Sequence, residues 1–244
     1  MEPKCNYCDF FGEKYHCHNC KVFNGAREHV PQEITCSLEE FVQTIENEDN
    51  LDEIYEVGDY IYIEAYTGEK FKVVVLDHNK DIIANANDKT AKISLGILDV
   101  DGYFSMNHES TNEGGWTESQ MRRRMEKFFR ILPEPLKSHI IPVVKKTSVG
   151  SRSNSIDYTA DKLFLFSEVE IFGSNTYSFA GEGEQYEYFK SEDNRRFKRY
   201  LWLRSPYYSF SSYFCYVDNS GVSDGYGAYS TIGVAFGFCL GSNI

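Results

Sequence analysis

The stretch "WLRSPYYSFSSYFCYVDNSGVSDGYGAYS", residues 202–230, opens as an apolar strand with one arginine and continues in a much narrower alphabet. From residue 207 to 230 it holds no Lys, Arg, Glu, Gln, His, Met, Leu, Trp or Pro. Tyr supplies a large amphipathic contact area at low entropic cost, while Ser, Gly and Asn supply adaptable hydrogen bonds, the mixture found in antibody paratopes. Edge strands and turns chosen for β propensity would give a similar composition. Read as a contact surface, the segment nominates Tyr207, Tyr208, Ser209, Ser211, Ser212, Tyr213, Tyr216, Asp218, Asn219, Ser223, Asp224, Tyr226 and Tyr229 as ligand-binding residues. Val217, Gly221 and Val222 read as scaffold. So do Trp202, Leu203 and Arg204, with the arginine expected to pair with a buried carboxylate or with backbone carbonyls.

Working outward, the last strands are expected at roughly 201–204, 213–217 and 233–240. Upstream, "DYIYIEAY" and "KFKVVVLDH" flank a Gly-containing turn and predict a β-hairpin. "WTESQMRRRMEKFFRILP" predicts a helix opening near Thr117 with Met121, Met125, Phe128, Phe129 and Leu132 on its apolar positions, ended by Pro133. "HIIPVVKKT" is strand or extended, "SRSNSIDYTAD" a polar loop, "KLFLFSEVEIFG" a buried strand followed by a turn or short helix, and residues 174–189 an irregular loop. Helices early and short strands with long loops late predict an α+β domain with a twisted antiparallel sheet over residues 55–244.

Two smaller units precede it. Residues 1–36 carry Cys5, Cys8, Cys17 and Cys20 as two CxxC pairs separated by eight residues. Four thiolates on two tight turns are the donor set of a tetrahedral structural zinc, which could replace the core that so short a segment cannot build. His16 and His18 flank Cys17 and could substitute as ligands; a redox CxxC is the alternative, without a βαβ pattern around either pair. In residues 37–54, Ser37 and Glu40 form a capping-box pattern before Leu38, Phe41, Val42 and Ile45, predicting a short amphipathic helix followed by an acidic linker.

A formal net charge of -12 over 244 residues argues against nucleic acid or anionic membrane as the main partner. The basic run "MRRRMEK" reads as a solvated helix face. The N-terminus lacks a signal-peptide pattern, and no apolar run approaches the roughly 18 residues of a membrane span. The chain is therefore expected in the cytoplasm or in a phage particle, with reduced cysteines. No G-x-S-x-G, H-E-x-x-H, phosphate-loop or dinucleotide fingerprint is present. "GEGEQ" and "DVDGY" both read as turns, the latter without the frame of a calcium loop.

Several phrases in order, "GGWTESQMRRRM", "LPEPLKSHIIPVVKKT", "DKLFLFSEVEIFG", "EGEQYEYF", "WLRSP" and "GVAFGFCL", resemble an uncharacterised domain family of gut bacteria and their prophages. Its members commonly read W-x-x-S-x-x-R, L-W-L-L-S-x-x-E, W-W-L-R-S-P and a G-V-R-P-A-[FL] ending; here Ala235, Phe236 and Gly237 stand where R-P-A is common. The resemblance implies a C-type-lectin-like fold, shared with formylglycine-generating enzymes and with the variable proteins of diversity-generating retroelements. In those variable proteins a reverse transcriptase rewrites adenines in the repeat that encodes the C-terminal loops. Randomising only the adenines of AAC or AAT codons cannot yield Lys, Glu, Gln, Met or Trp, and residues 207–230 contain none of these five. The resemblance thus implies a non-enzymatic receptor for an unknown protein or glycan. A non-diversified structural or interaction module of a phage or mobile element is the alternative. The enzymatic alternative rests on Cys215 and Cys239.

Overall fold

The computed structural model describes residues 21–23 and 26–242. Cys5, Cys8, Cys17, Cys20, His16 and His18 lie outside the described residues, and so does the zinc assignment. In chain order the first elements are β1 (Lys21–Phe23), β2 (Ala26–Glu28), α1 (Leu38–Asn47), α2 (Leu51–Ile54), β3 (Tyr60–Glu64), β4 (Lys70–His78) and β5 (Ala91–Phe104). Then come α3 (Gly115–Glu118), α4 (Gln120–Ile131), α5 (Glu134–Lys137), β6 (Ile140–Ile141), β7 (Val143–Ser148), β8 (Ile156–Asp161) and α6 (Glu168–Phe172). Two 3-10 turns, Glu187–Lys190 and Glu192–Arg195, lead to β9 (Leu201–Pro206), β10 (Tyr213–Val217), β11 (Ser223–Gly227) and β12 (Ile232–Ser242).

Ser37 starts α1 with a reciprocal capping box: its Oγ accepts from Glu40 N at 3.2 Å, and Glu40 Oε2 accepts from Ser37 N at 2.9 Å. Two otherwise orphaned N–H groups are satisfied this way, and the helix lays Phe41, Val42 and Ile45 into the core. The acidic stretch after it is not all linker, because Leu51 is buried and nucleates the one-turn α2.

Seven strands form an open, twisted sheet in the order β11-β10-β9-β12-β5-β4-β3, with β6 paired to β12. All of these pairs are antiparallel except β12 and β9, which meet in parallel at Gly233 and Leu201. Residues 232–240 of β12 and 91–97 of β5 are buried throughout, so the sheet centre is covered on both faces and its strands read as continuous apolar runs. α1 packs on β12, while β7 and β8 form a separate two-stranded ladder against β9. Gly237 is set by a close approach: the Phe164 backbone exchanges two hydrogen bonds with it, and a Cβ there would lie 2.6 Å from the Phe164 ring.

The molecule is a mixed α+β protein, mostly sheet with few helices. The predicted hairpin is β3–β4, and the expected C-terminal strands correspond to β9, β10 and β12. Five local readings change. "KLFLF" is buried but forms no strand, making only an isolated bridge from Phe164 to Gly237. The helix expected from Thr117 is two pieces, because Ser119 adopts an extended conformation and its Oγ caps α4 by accepting from Arg122 N at 3.1 Å. The polar loop at 151–161 contributes strand β8, paired along its length with β7. "DVDGY" is the far end of β5, not a turn, with Gly102 at φ +111. Finally, β11 has no apolar signature of its own and was not anticipated as a strand; it exists because β10 offers it a full antiparallel register.

Candidate functional site

The frame beneath the Tyr/Ser segment is a buried charge network. β9 carries Trp202, Leu203 and Arg204 into the core, each no more than 1% exposed. Both expectations for Arg204 hold. Its guanidinium clamps the Glu170 carboxylate with two nitrogens, Nη2 to Oε1 at 2.8 Å and Nη1 to Oε2, and also donates to the Leu165 carbonyl at 2.7 Å and Thr147 Oγ1 at 2.9 Å. Glu170 also accepts from Lys145 Nζ at 3.1 Å, and Lys145 reaches Asp81 Oδ1 at 2.5 Å and Tyr186 Oη at 2.7 Å. Burial alone would pull the Lys145 ammonium down, yet Asp81 and Glu170 hold it above its ordinary value. Burial likewise opposes ionisation of both carboxylates, but Lys145 holds Asp81 below its usual range and Arg204, then Lys145, do the same for Glu170.

A second acidic chain runs alongside. Glu168 accepts from Tyr177 N, Ser178 N and Ser223 Oγ, and its own N–H donates to Ser205 Oγ. Ser205 in turn donates to Glu182, whose other oxygen accepts from Ser148 N at 2.8 Å. Burial pushes the Glu182 carboxyl up from 4.5 to about 7, against those hydrogen bonds and Arg204. The folded state therefore holds this proton more tightly than the unfolded chain. Its stabilising contribution is complete below about pH 4.5 and is lost as pH rises through about 7. Asp81 and Glu170 act in the opposite sense, losing their contribution only as pH falls below the ordinary carboxylate range. We expect unfolding free energy to fall by about 3 kcal/mol between pH 5 and pH 8, with the slope flattened in Glu182→Gln. Denaturant titrations at stepped pH measure it.

Asn112, far away in sequence, makes several hydrogen bonds to the loop between β9 and β10. Asn112, fully buried, donates from Nδ2 to the carbonyls of Phe210 at 3.0 Å and Tyr213 at 2.7 Å, and its backbone N–H donates to the Ser211 carbonyl at 2.7 Å. Asn112 Oδ1 accepts from Ser151 N at 2.8 Å, fixing the amide orientation. Every contact on the loop is to its backbone. The side chains of Tyr208, Phe210 and Ser211 are left exposed.

Tyr208 and Phe210 belong to one of two aromatic clusters on the segment. Strand alternation sets Tyr216 and Asp224 on one side of the β10–β11 ribbon, and Cys215 and Gly225 on the other. On the Gly225 side, Tyr207 stacks on Tyr177 (5.3 Å between centroids), on Tyr208 (5.5 Å) and on Phe210 (5.8 Å), with Tyr213 edge-on. Gly225 permits this, since a Cβ there would lie 2.2 Å from the Tyr207 ring. On the Asp224 side, Tyr216 stacks on Tyr200 at 5.3 Å and meets Tyr226, which leans on Trp202. Asn219, Asp224, Tyr226 and Tyr229 are exposed, and Ser209 and Ser212 half-buried.

Two nominated residues do other work. Ser223 is buried, with its hydroxyl on Glu168 at 2.6 Å, because it falls on the inward register of β11. Asp218 closes the β10–β11 turn, accepting from Ser220 N and Val222 N, both at 2.9 Å. Conversely Val222, read as scaffold, is 58% exposed. Phe210, Tyr177 and Tyr200 were missed; Phe210 lay inside the narrow-alphabet segment and could have been read from it, whereas Tyr177 and Tyr200 are brought in by tertiary packing alone.

Residues 74–242 match a family described as a domain of unknown function (DUF6273). The chain belongs to that family. No curated protein and no solved structure matches the chain. The DUF6273 region takes in the charge network, Asn112 and both aromatic clusters. The chain's own W-x-x-S-x-x-R run, residues 116–122, has a structural reading: Trp116 Nε1 and Arg122 Nε donate to the two oxygens of Asp161, at 2.8 and 2.7 Å, around the Ser119 cap. Among the described residues no helix is long and apolar enough to cross a membrane.

Proposed function

We propose that this DUF6273 chain is a receptor-type ligand-binding protein with a C-type-lectin-like scaffold. Its recognition surface is the Tyr/Ser-rich segment 207–230, varied by a diversity-generating retroelement. The observation that carries the reading is the grip of Asn112 on the backbone of residues 210–213. A loop fixed through its carbonyls keeps its path whatever side chains it displays, which is the requirement for a surface that changes sequence without changing fold. The exposed, mutually stacked aromatics give that surface rigid, low-entropy contact area. The ligand would be a protein or a glycan, and Cys5, Cys8, Cys17 and Cys20 would hold a structural zinc in an N-terminal ribbon.

The thiols that would support formylglycine-type chemistry weigh against it. Cys215 and Cys239 are both fully buried, and burial pushes each well above the ordinary thiol value, which depletes the reactive thiolate. The test is the flanking DNA. We expect a reverse-transcriptase gene and a near-copy of the 207–230 coding repeat differing only at adenines. A gene with neither sinks the diversification reading and leaves a fixed interaction module.

A further inference from the structure

Within the buried charge network, Lys145, Asp81 and Glu170 bring an amine and two carboxyls into direct contact. Their side chains are 1%, 8% and 5% exposed. Lys145 Nζ lies 2.5 Å from Asp81 Oδ1 and 3.1 Å from Glu170 Oε1. Aromatic rings wall the amine: the Phe164 centroid is 3.6 Å from Nζ and the Tyr186 centroid 5.3 Å away. The other Asp81 oxygen, Oδ2, accepts from Ser94 Oγ at 2.6 Å and Tyr186 Oη at 2.8 Å. This arrangement has the parts of an acyl-transfer site: a nucleophile, a carboxyl carbon, donors at the oxygen where negative charge would develop, and a second carboxylate able to relay a proton.

We infer that Lys145 and Asp81 condense on each other to form an intramolecular isopeptide bond, with Glu170 as the proton relay. The ammonium passes one proton to Glu170, and the neutral amine adds to Asp81 Cγ. Charge gathers on Oδ2 under the Ser94 and Tyr186 hydroxyls, the Cγ–Oδ1 bond breaks, and Oδ1 leaves with two protons that began on Nζ. One amide and one water result from one ammonium and one carboxylate, so charge, protons and electrons balance and no oxidant is needed. Arg204 holds Glu170 in place for the relay through its two-nitrogen clamp.

Ordinary water opposes this condensation because it hydrates the separated ions. Here the ion pair is the resting state, held charged by its neighbours, and the condensation starts only when Glu170 takes a proton from the ammonium. The amide once formed needs no counter-ion in the buried site. Positioning replaces a bimolecular encounter. A cavity of about 140 Å³, lined by Asp81, Glu170 and Tyr186 among others, adjoins the pair and offers the water an exit. The bond would tie the segment between β4 and β5 to β7, 64 residues later in the chain. That closes a long loop beside the isolated bridge of Ile83 with Val143.

The experiment is intact mass under reducing, denaturing conditions, followed by peptide mapping. The purified chain should weigh about 18 Da less than its sequence mass, one water, and yield a branched peptide joining Asp81 to Lys145. Lys145→Arg keeps the cation but has no amine to acylate, and it should show the full mass. A wild-type chain at full mass, a deficit that maps elsewhere, or a deficit that persists in Lys145→Arg overturns the inference. None of these outcomes touches the ligand-binding proposal, which rests on other residues.

Discussion

Replacing Arg204 with methionine is expected to lower the unfolding free energy by about 3 to 5 kcal/mol, read as a shift in denaturant midpoint. The side chain is fully buried, and its guanidinium engages Glu170, the Leu165 carbonyl and Thr147 together. Methionine fills much of the volume but leaves Glu170 as a buried carboxylate stripped of its two-nitrogen clamp. Arg204→Lys should recover only part of the loss, since a single ammonium cannot fork across both carboxylate oxygens and still reach the carbonyls. A methionine variant within about 0.5 kcal/mol of the parent would show that the network contributes nothing net.

The second large effect is expected at Asn112. Alanine there removes the bonds to the Phe210 and Tyr213 carbonyls and to Ser151 N, three contacts at about 1 kcal/mol each. A loss of about 3 kcal/mol follows, together with loosening of the loop that carries Tyr208 and Phe210. Phe210→Ala should behave in the opposite way. The ring is 55% exposed, so stability should move by less than about 1 kcal/mol while the aromatic cluster loses an outer face. Thermal unfolding compares the two variants directly. If Phe210→Ala costs as much as Asn112→Ala, the loop is held by its side chains and is not free to vary.

These contrasts mark what was legible in the residues. The α1 cap needed only Ser37 and Glu40, three positions apart, and the β3–β4 hairpin only two β-rich runs around a glycine turn. Arg204 inside an apolar phrase announced a buried partner, because a guanidinium enters a core only when its donors are met. The partner's identity was not legible. Glu170 sits 34 residues away on a one-turn helix; its spacing from Ser167 marks it as the capping-box residue, but nothing in "SEVEIF" says that it meets Arg204 while Glu168 serves Ser223, Tyr177 and Ser178. "GEGEQ" reads as a turn, and its glycines do take positive φ, yet Glu182 between them is a fully buried node of the acidic chain.

The binding segment divides in the same manner. Its composition marked an aromatic, polar surface, and Tyr208, Asn219, Asp224, Tyr226 and Tyr229 are on that surface. Strand alternation in β10 and β11 then turned Cys215 and Ser223 inward and put Tyr207 and Tyr216 on opposite sides of one ribbon. Sequence alone determined the α1 cap, the β3–β4 hairpin and the apolar frame of β9 and β12, because capping, turn chemistry and apolar periodicity act over a few positions. Strands β8 and β11 and the inward register of Ser223 came from pairing with neighbours. Tertiary structure decided which carboxylate meets Arg204, that Asn112 grips the loop, and that Lys145 lies against Asp81. Those pairings join positions 34 to 101 residues apart, beyond the reach of any local signal in the chain.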